Sequence, residues 1–278
     1  MKTALVACEK HDGLDAVFAA ARLMMENFGS YIEGAATVTG FTEIAAMAPA
    51  GAAPVLLEMP DDSKDVAELR GSFERNMRGA GLTEAGPSRG GASFGWRNDG
   101  SLNDFAFAAR ARIFDLAILA RPVSGRPRPR MSLLEATLFD SGRPLLIVPP
   151  TAPRTLGNKI LIGWNGSTET ARIVAFSMPF LMKAHEVMVL TVDDGSLMGP
   201  PGHMLASHLD AAGINVTHKT VTQPGGQTGQ THLAEAKAFG ADLVVKGAYT
   251  TSRLRQMIFG GATSHILWNA EVPVLMAH

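Results

Sequence analysis

Near its C-terminus the chain carries residues whose types and spacing suit the binding of an anion. In residues 241–278, ADLVVKGAYTTSRLRQMIFGGATSHILWNAEVPVLMAH, an apolar strand is predicted to lead into a loop and then a helix. Free backbone N–H groups at a helix N-terminus can hold a phosphate, and Gly247 and Gly260 would let the backbone approach it. Thr263 and Ser264 would add hydroxyl donors. The glycine spacing alone is equally compatible with a purely structural connection between a strand and a helix.

The remaining charged and reactive residues indicate which kinds of site the sequence supports. The side chain of Arg253, within the loop, could reach a phosphate, although loop arginines are often simply solvated. The single cysteine, Cys8, cannot form a thiolate cluster, and the histidines do not pair on one helix face, so no metal site is predicted. The hydrolase, metalloprotease and P-loop signatures are missing from the sequence. Asp193 and Asp194 are the only acidic residues expected near the loop, and neither is predicted to be catalytic.

The elements that position this loop follow from alternating apolar runs and helical patterns. In the second half, strands are predicted at residues 159–164, 186–192, 214–221, 241–247 and 272–277, with a turn at Asn165-Gly166-Ser167. Helical patterns separate them, and the last of these spans residues 261–269. Strands with few polar residues that alternate with helices are typical of a parallel sheet covered on both faces. Ligands bind such sheets at the carboxyl ends of the strands.

A weaker copy of the same order occupies the first half. Residues 115–144 and 242–273 are nearly equal in length and share the order strand, loop, helix, strand. The proline-rich stretch between Pro149 and Asn158 reads as a linker, and residues 41–54 as an insertion or long loop. We therefore predict an α/β protein of two tandem doubly wound five-stranded parallel-sheet domains, at residues 1–150 and 158–278.

Composition limits the partners and the location. The chain of 278 residues has 25 Lys and Arg against 26 Asp and Glu, which gives no overall field to attract nucleic acid or an anionic membrane. No apolar run reaches the length of a membrane span. A single cysteine is typical of a reducing compartment. These features predict a cytoplasmic protein with small-molecule or protein partners.

The pattern Gly247-x2-Thr250-x9-Gly260, with IGWNGS opening the domain and VPVLMAH closing it, resembles the universal stress protein family. The resemblance covers residues 158–278, and the tandem arrangement extends it to the whole chain. It implies an adenine nucleotide alpha hydrolase-like fold and a role in the stress response or in signalling. It also implies ATP, with or without Mg²⁺, held on a loop of pattern G-x2-G-x9-G-[ST].

Transferred by position, the resemblance predicts residues that flank the nucleoside or wrap the phosphates. These are Trp164, Asn165, Val192, Lys246, Gly247, Thr250, Arg253, Gly260, Gly261, Ala262, Thr263 and Ser264. The sequence differs from the family pattern at Thr250, where a glycine is usual, at Asn165, where an acid is usual, and at Gly261, where Ser or Thr is usual. Two alternatives therefore stay open: a nucleotide-free interaction module, and a weak nucleotide hydrolase.

The first copy departs further from that pattern. Ala120 stands where Gly247 stands in the second copy, and VSGRPRPRMS, with its prolines and arginines, replaces the glycine loop. Because proline has no N–H, this segment offers fewer backbone donors. We expect a degenerate structural domain in which Arg126, Arg128 and Arg130 form a solvated basic loop, with the binding of an anion by this cluster as the alternative. The resemblance also implies that the last strands of the two domains pair, which makes the chain an intramolecular pseudo-dimer able to form a homodimer.

Overall fold

The structure, a computed structural model, describes residues 1–38, 62–87, 91–193, 195, 199–222, 227–248 and 261–278. Several predicted features lie outside these ranges, namely the insertion at 41–54 and the candidate residues Asp194, Thr250, Arg253 and Gly260. Within the described part, no helix is both long and apolar enough to cross a membrane.

In the second half, strands and helices alternate as predicted. The strands are β7 (Lys159–Gly163), β8 (Glu186–Asp193), β9 (Val216–Thr222), β10 (Leu243–Gly247) and β11 (Val274–Ala277). The helices are α5 (Thr168–Leu181), α6 (Gly202–Ala211), α7 (Thr228–Phe239) and α8 (Gly261–Asn269). Gly240 caps the C-terminus of α7, and its φ of 73° is the left-handed conformation that glycine adopts at little cost.

In the first half, the strands are β1 (Thr3–Cys8), β2 (Tyr31–Ala36), β3 (Thr83–Glu84), β4 (Ser93–Trp96), β5 (Leu116–Ala120) and β6 (Leu145–Val148). The helices are α1 (Leu14–Phe28), α2 (Ser63–Gly79), α3 (Asp104–Ala111) and α4 (Met131–Asp140). The short strand β3, which pairs in parallel with β4, was not predicted. With only two residues, both exposed, it carries no apolar run that the sequence could reveal.

All described strands form one sheet in the order β3-β4-β2-β1-β5-β6-β11-β10-β7-β8-β9. Each half winds outward in both directions from its first strand, which is the doubly wound arrangement. The halves join where β6 pairs antiparallel with β11, with Leu146 opposite Leu275. Pairing through the last strands is therefore as the family resemblance implied, and it places the carboxyl ends of the two halves on opposite edges of the sheet.

The internal repeat is visible in two aspartates. The carboxylate of Asp242 accepts hydrogen bonds from the backbone N–H groups of Gly157, Asn158 and Lys159 at 3.0–3.1 Å, and so fixes the start of β7. Asp115 does the same for β1 through the N–H groups of Lys2 and Thr3. Two apolar clusters, one on each face of the sheet, contain residues from both halves.

Candidate functional site

The turn after β7 is built by the side chain of Asn165. Its Oδ1 accepts hydrogen bonds from the Ser167 N–H at 3.2 Å and from the Thr170 hydroxyl at 3.0 Å. Ser167 in turn caps α5 by accepting from the Thr170 N–H, as expected for a serine at this position. The amide of Asn165 thus organises the turn at the carboxyl edge of the sheet.

A second loop packs on this turn. The Trp164 Nε1–H donates to the Pro200 carbonyl at 2.8 Å, and a Cβ on Gly166 would lie 3.0 Å from the backbone of Gly199. Trp164 and Val192, both predicted to flank a nucleoside, are 7% and 5% exposed. Trp164 belongs to the apolar cluster on one face of the sheet, and Val192 belongs to the cluster on the other face.

Gly247 is required by packing. A Cβ there would lie 2.6 Å from the backbone nitrogen of Thr170 and 2.7 Å from the carbonyl carbon of Glu169. The N-terminus of α5 therefore fills the space that a side chain would need. We expected the absence of a side chain at Gly247 to let a ligand approach the backbone. On the side where a Cβ would project, α5 approaches it instead.

Lys246 is a lysine whose side chain is buried at the end of β10. It is 6% exposed, and its Cδ lies 2.8 Å from where a Cβ on Gly163 would be, a point that is also 2.7 Å from the His232 ring. Among the described residues its ammonium group has no hydrogen bond and no carboxylate within 4 Å. Burial lowers its pKa from 10.5 to about 8, and the charge of Glu169 offsets only part of that shift.

Glu169, in the first turn of α5, has a hydrogen-bond partner on only one of its two carboxylate oxygens among the described residues. Its Oε1 accepts from the Thr168 hydroxyl at 3.0 Å, while its buried Oε2 has no partner in the described part of the chain. Burial alone would raise the pKa of this carboxyl. Hydrogen bonds from its own backbone N–H and from Thr168 outweigh burial and hold the pKa below its usual value.

The helix α8 begins at Gly261, which has a φ of 64°, and no acidic residue lies in its first turn. Ala262 packs on α7, since a Cβ on Gly229 would lie 2.7 Å from its carbonyl oxygen. Thr263 is 8% exposed, whereas Ser264 is partly exposed. Because α7 also carries His232, it connects the start of α8 with the end of β10.

These contacts bring some predicted residues together. Lys246 and Gly247 end β10, Trp164 and Asn165 follow β7, and the two strands are paired neighbours. Glu169 and His232 belong to the same region, yet the sequence analysis did not identify them. A polar residue near a helix N-terminus or on a helix face is too common to indicate a site from sequence alone.

At the corresponding edge of the first half, the protein supplies its own anion. The carboxylate of Glu9, 2% exposed, accepts from the Arg130 backbone N–H at 3.0 Å and from its Nε at 2.6 Å. Arg130 immediately precedes α4, so Glu9 occupies the helix N-terminus at which a phosphate would bind. Asp104 lies 2.8 Å from Nη1 of the same guanidinium group.

The arginine loop differs from the expectation of a solvated cluster. The expectation is correct for Arg126, whose side chain is 57% exposed and pairs with Asp12 at the surface. The Arg130 side chain is only 8% exposed, so the expectation is wrong for this residue. Glu9 and Asp104 compensate the buried guanidinium charge, and no local sequence pattern indicated that pairing because Glu9 is so distant in the chain.

Comparisons with known proteins identify a family for the second half and similar folds for the whole chain. The model of the universal stress protein family matches residues 158–278. A universal stress protein from Archaeoglobus fulgidus DSM 4304 has a similar structure, with a TM-score of 0.73, 12% identity and coverage of 98% of this chain and 95% of its own.

Two proteins of Pseudomonas aeruginosa also share the fold. For a putative universal stress protein from strain UCBPP-PA14, the TM-score is 0.56 with 15% identity, over 100% of this chain and 93% of that one. For a functionally unknown protein from strain PAO1, it is 0.58 with 16% identity, over 100% and 92%. No curated protein sequence matches the chain. The domain at residues 158–278 therefore belongs to the universal stress protein family, and the whole chain shares the fold of the solved universal stress proteins.

Proposed function

We propose that residues 158–278 bind ATP or a related adenine nucleotide, and that the chain acts through this binding in a stress response or in signalling. The observation that carries the proposal is the buried ammonium group of Lys246, which has no ion pair among the described residues. It lies at the carboxyl end of β10, where doubly wound sheets bind ligands.

A buried charge without a partner is costly, and an anionic ligand would offset that cost. The phosphates of a nucleotide would provide this charge, and the N–H groups at the start of α8 would add donors. The free Oε2 of Glu169 could accept a hydrogen bond from a hydroxyl or amino group of the same ligand.

Titration calorimetry of the full chain with ATP tests the proposal. We expect saturable binding, weakened at least about tenfold in Lys246→Met, since a charge-assisted hydrogen bond contributes roughly 1.5–3 kcal/mol. The matched control is Lys237→Met on α7, whose side chain is 81% exposed; it should bind as the wild type does. Absence of binding, or equal weakening in both variants, would contradict the proposal.

Proton uptake gives an independent readout. Because the pKa of Lys246 is about 8 in the free chain, a phosphate placed beside it would raise that pKa, and binding near pH 8 would take up protons. Calorimetry in buffers of different ionisation enthalpy measures this uptake. It should disappear in Lys246→Met and persist in Lys237→Met.

A nucleotide-free interaction module is a second candidate, favoured by the commitment of two predicted ligand residues to structure. Asn165 organises its turn, and the space beside Gly247 is filled by α5. Protein purified without added nucleotide distinguishes the candidates. Adenine nucleotide released on denaturation supports binding, whereas a nucleotide-free chain that also fails to bind ATP supports the module.

A further inference from the structure

The first half contains a cavity of about 350 Å³ at the carboxyl ends of β1 and β5. Three arginines, Arg121, Arg126 and Arg128, line it together with His11. Apolar side chains complete the wall, among them Ala120, Val123 and Pro150. The volume is at the lower end of the range for small-molecule sites, and the position is the edge where open α/β sheets bind ligands.

Two buried donors in this cavity have no hydrogen-bond partner in the described part of the chain. They are Nε2 of His11 and Nε of Arg121. The Nδ1 of His11 accepts from the Gly13 backbone N–H at 3.0 Å, so the neutral ring carries its proton on Nε2. Burial lowers the pKa of His11, which favours this neutral form. Buried polar groups normally have partners, and a bound ligand would provide them.

The charges around the cavity leave an excess of cations. Arg126 pairs with Asp12, and Arg121 donates through Nη1 to the carbonyl of Trp268 on α8. The Nε of Arg128 is 3.9 Å from the nearest oxygen of Glu9, and its side chain is 37% exposed. Since Glu9 is already bonded to Arg130, the guanidinium of Arg128 is available to an incoming anion.

This site lacks the backbone donors with which a glycine loop holds a nucleoside triphosphate. Glu9 occupies the N-terminus of α4, and the prolines at 127 and 129 supply no N–H groups. Side chains must therefore hold the ligand. Donors on three separate residues match the several oxygens of a phosphoryl group better than a carboxylate, which one arginine alone can bind in bidentate fashion.

We propose that this cavity binds a small organic phosphate monoester, whose phosphoryl group contacts His11, Arg121 and Arg128 and whose organic part packs against Ala120, Val123 and Pro150. The site is independent of the nucleotide site proposed for the second half, and it lies on the opposite edge of the sheet.

Calorimetric titration of the full chain with ribose 5-phosphate and with inorganic phosphate tests this site. We expect saturable binding of both, with ribose 5-phosphate the tighter. Arg128→Gln should weaken binding about tenfold, whereas the exposed Arg172→Gln on α5, which removes the same charge far from the cavity, should not. Ala120→Leu, which fills the cavity without changing its charge, should abolish binding of ribose 5-phosphate.

A readout on the wild type makes the test independent of how the variants fold. In the ¹⁵N-histidine-labelled chain, ribose 5-phosphate should shift the ring resonance of His11. Three results would overturn the proposal: no saturable binding up to roughly 10 mM, equal effects of Arg128→Gln and Arg172→Gln, or no preference for ribose 5-phosphate over inorganic phosphate. Lys246→Met should leave this binding unchanged; its loss there would assign the ligand to the second half.

Discussion

The carboxylate of Glu9 bonds to both the backbone N–H and the Nε of Arg130, and so closes the N-terminus of α4 with a residue from the end of β1. In the second half, Asn165 follows the corresponding strand, and its amide is used within its own turn. Neither last helix has an acidic side chain in its own first turn, so the difference between the halves is the carboxylate of Glu9 in one against the uncharged amide of Asn165 in the other.

Glu9→Gln should lower the free energy of unfolding by about 3 kcal/mol, because a buried guanidinium loses its main counter-charge while Asp104 compensates only part of it. Urea denaturation followed by circular dichroism measures the change. Glu186→Gln, which removes the half-exposed pair with Lys159, is the control and should change stability far less. Equal effects would mean that the Glu9 pair contributes no more than a surface ion pair.

Lys246→Met should stabilise the protein at pH 7. Lowering the lysine pKa from 10.5 to about 8 corresponds to a penalty on the order of 3 kcal/mol at neutral pH, which an apolar side chain of similar length avoids. Chemical denaturation of both proteins at pH 7 measures the difference. A destabilised variant would show that Lys246 has a favourable partner in the free chain.

The same lysine predicts a pH dependence. Between pH 8 and 10.5 the unfolded chain binds more protons at this residue than the folded chain, so its contribution to the unfolding free energy rises with pH across that window. Below pH 8 both states are protonated and the full penalty applies. Denaturation curves collected across the window should therefore show a smaller rise for Lys246→Met than for the wild type. Parallel curves would contradict the lowered pKa.

Gly247→Ala should destabilise the fold by about 1–3 kcal/mol, because the added methyl group would meet the backbone of Thr170, which cannot rotate away. Gly79→Ala, in the last turn of α2 with open space around the added carbon, is the control and should be neutral or slightly stabilising. Thermal denaturation compares them. A neutral Gly247→Ala would mean that α5 shifts freely at its N-terminus.

The junction of the halves should make unfolding cooperative. Leu146 and Leu275 face each other across the β6–β11 pair and belong to one apolar cluster that spans both halves. Leu146→Ala should lower the free energy of unfolding by about 2–5 kcal/mol. Calorimetry should show a single unfolding transition whose midpoint temperature is lower than that of the wild type. Two transitions, of which the variant shifts only one, would show that the halves unfold separately.

The sequence predicted the alternation of strands and helices well where strands are buried. The predicted strand at 186–192 is observed as Glu186–Asp193, and the helix at 261–269 as Gly261–Asn269. Continuous apolar runs between polar turns make such elements recognisable. The antiparallel pairing of the last strands followed from the family resemblance rather than from any local pattern.

Side-chain environments were less predictable. The contact between Glu9 and Arg130 joins residues far apart in sequence, and an arginine that follows two Arg-Pro pairs has the pattern of a surface loop. Likewise, a lysine at the end of a strand usually reaches solvent, and only the folded structure shows that Lys246 is buried. Such contacts depend on tertiary packing, which local propensities do not encode.

The antiparallel pairing of β6 with β11 has a consequence for stoichiometry. Two separate chains joined in this way would dissociate on dilution, whereas here both strands belong to one polypeptide, so their association does not depend on protein concentration. Because the partner of each half is always the other half, the two can differ in sequence without forming mismatched pairs. One half can then keep Glu9 at its helix terminus while the other keeps Lys246 unpaired, in a fixed one-to-one ratio.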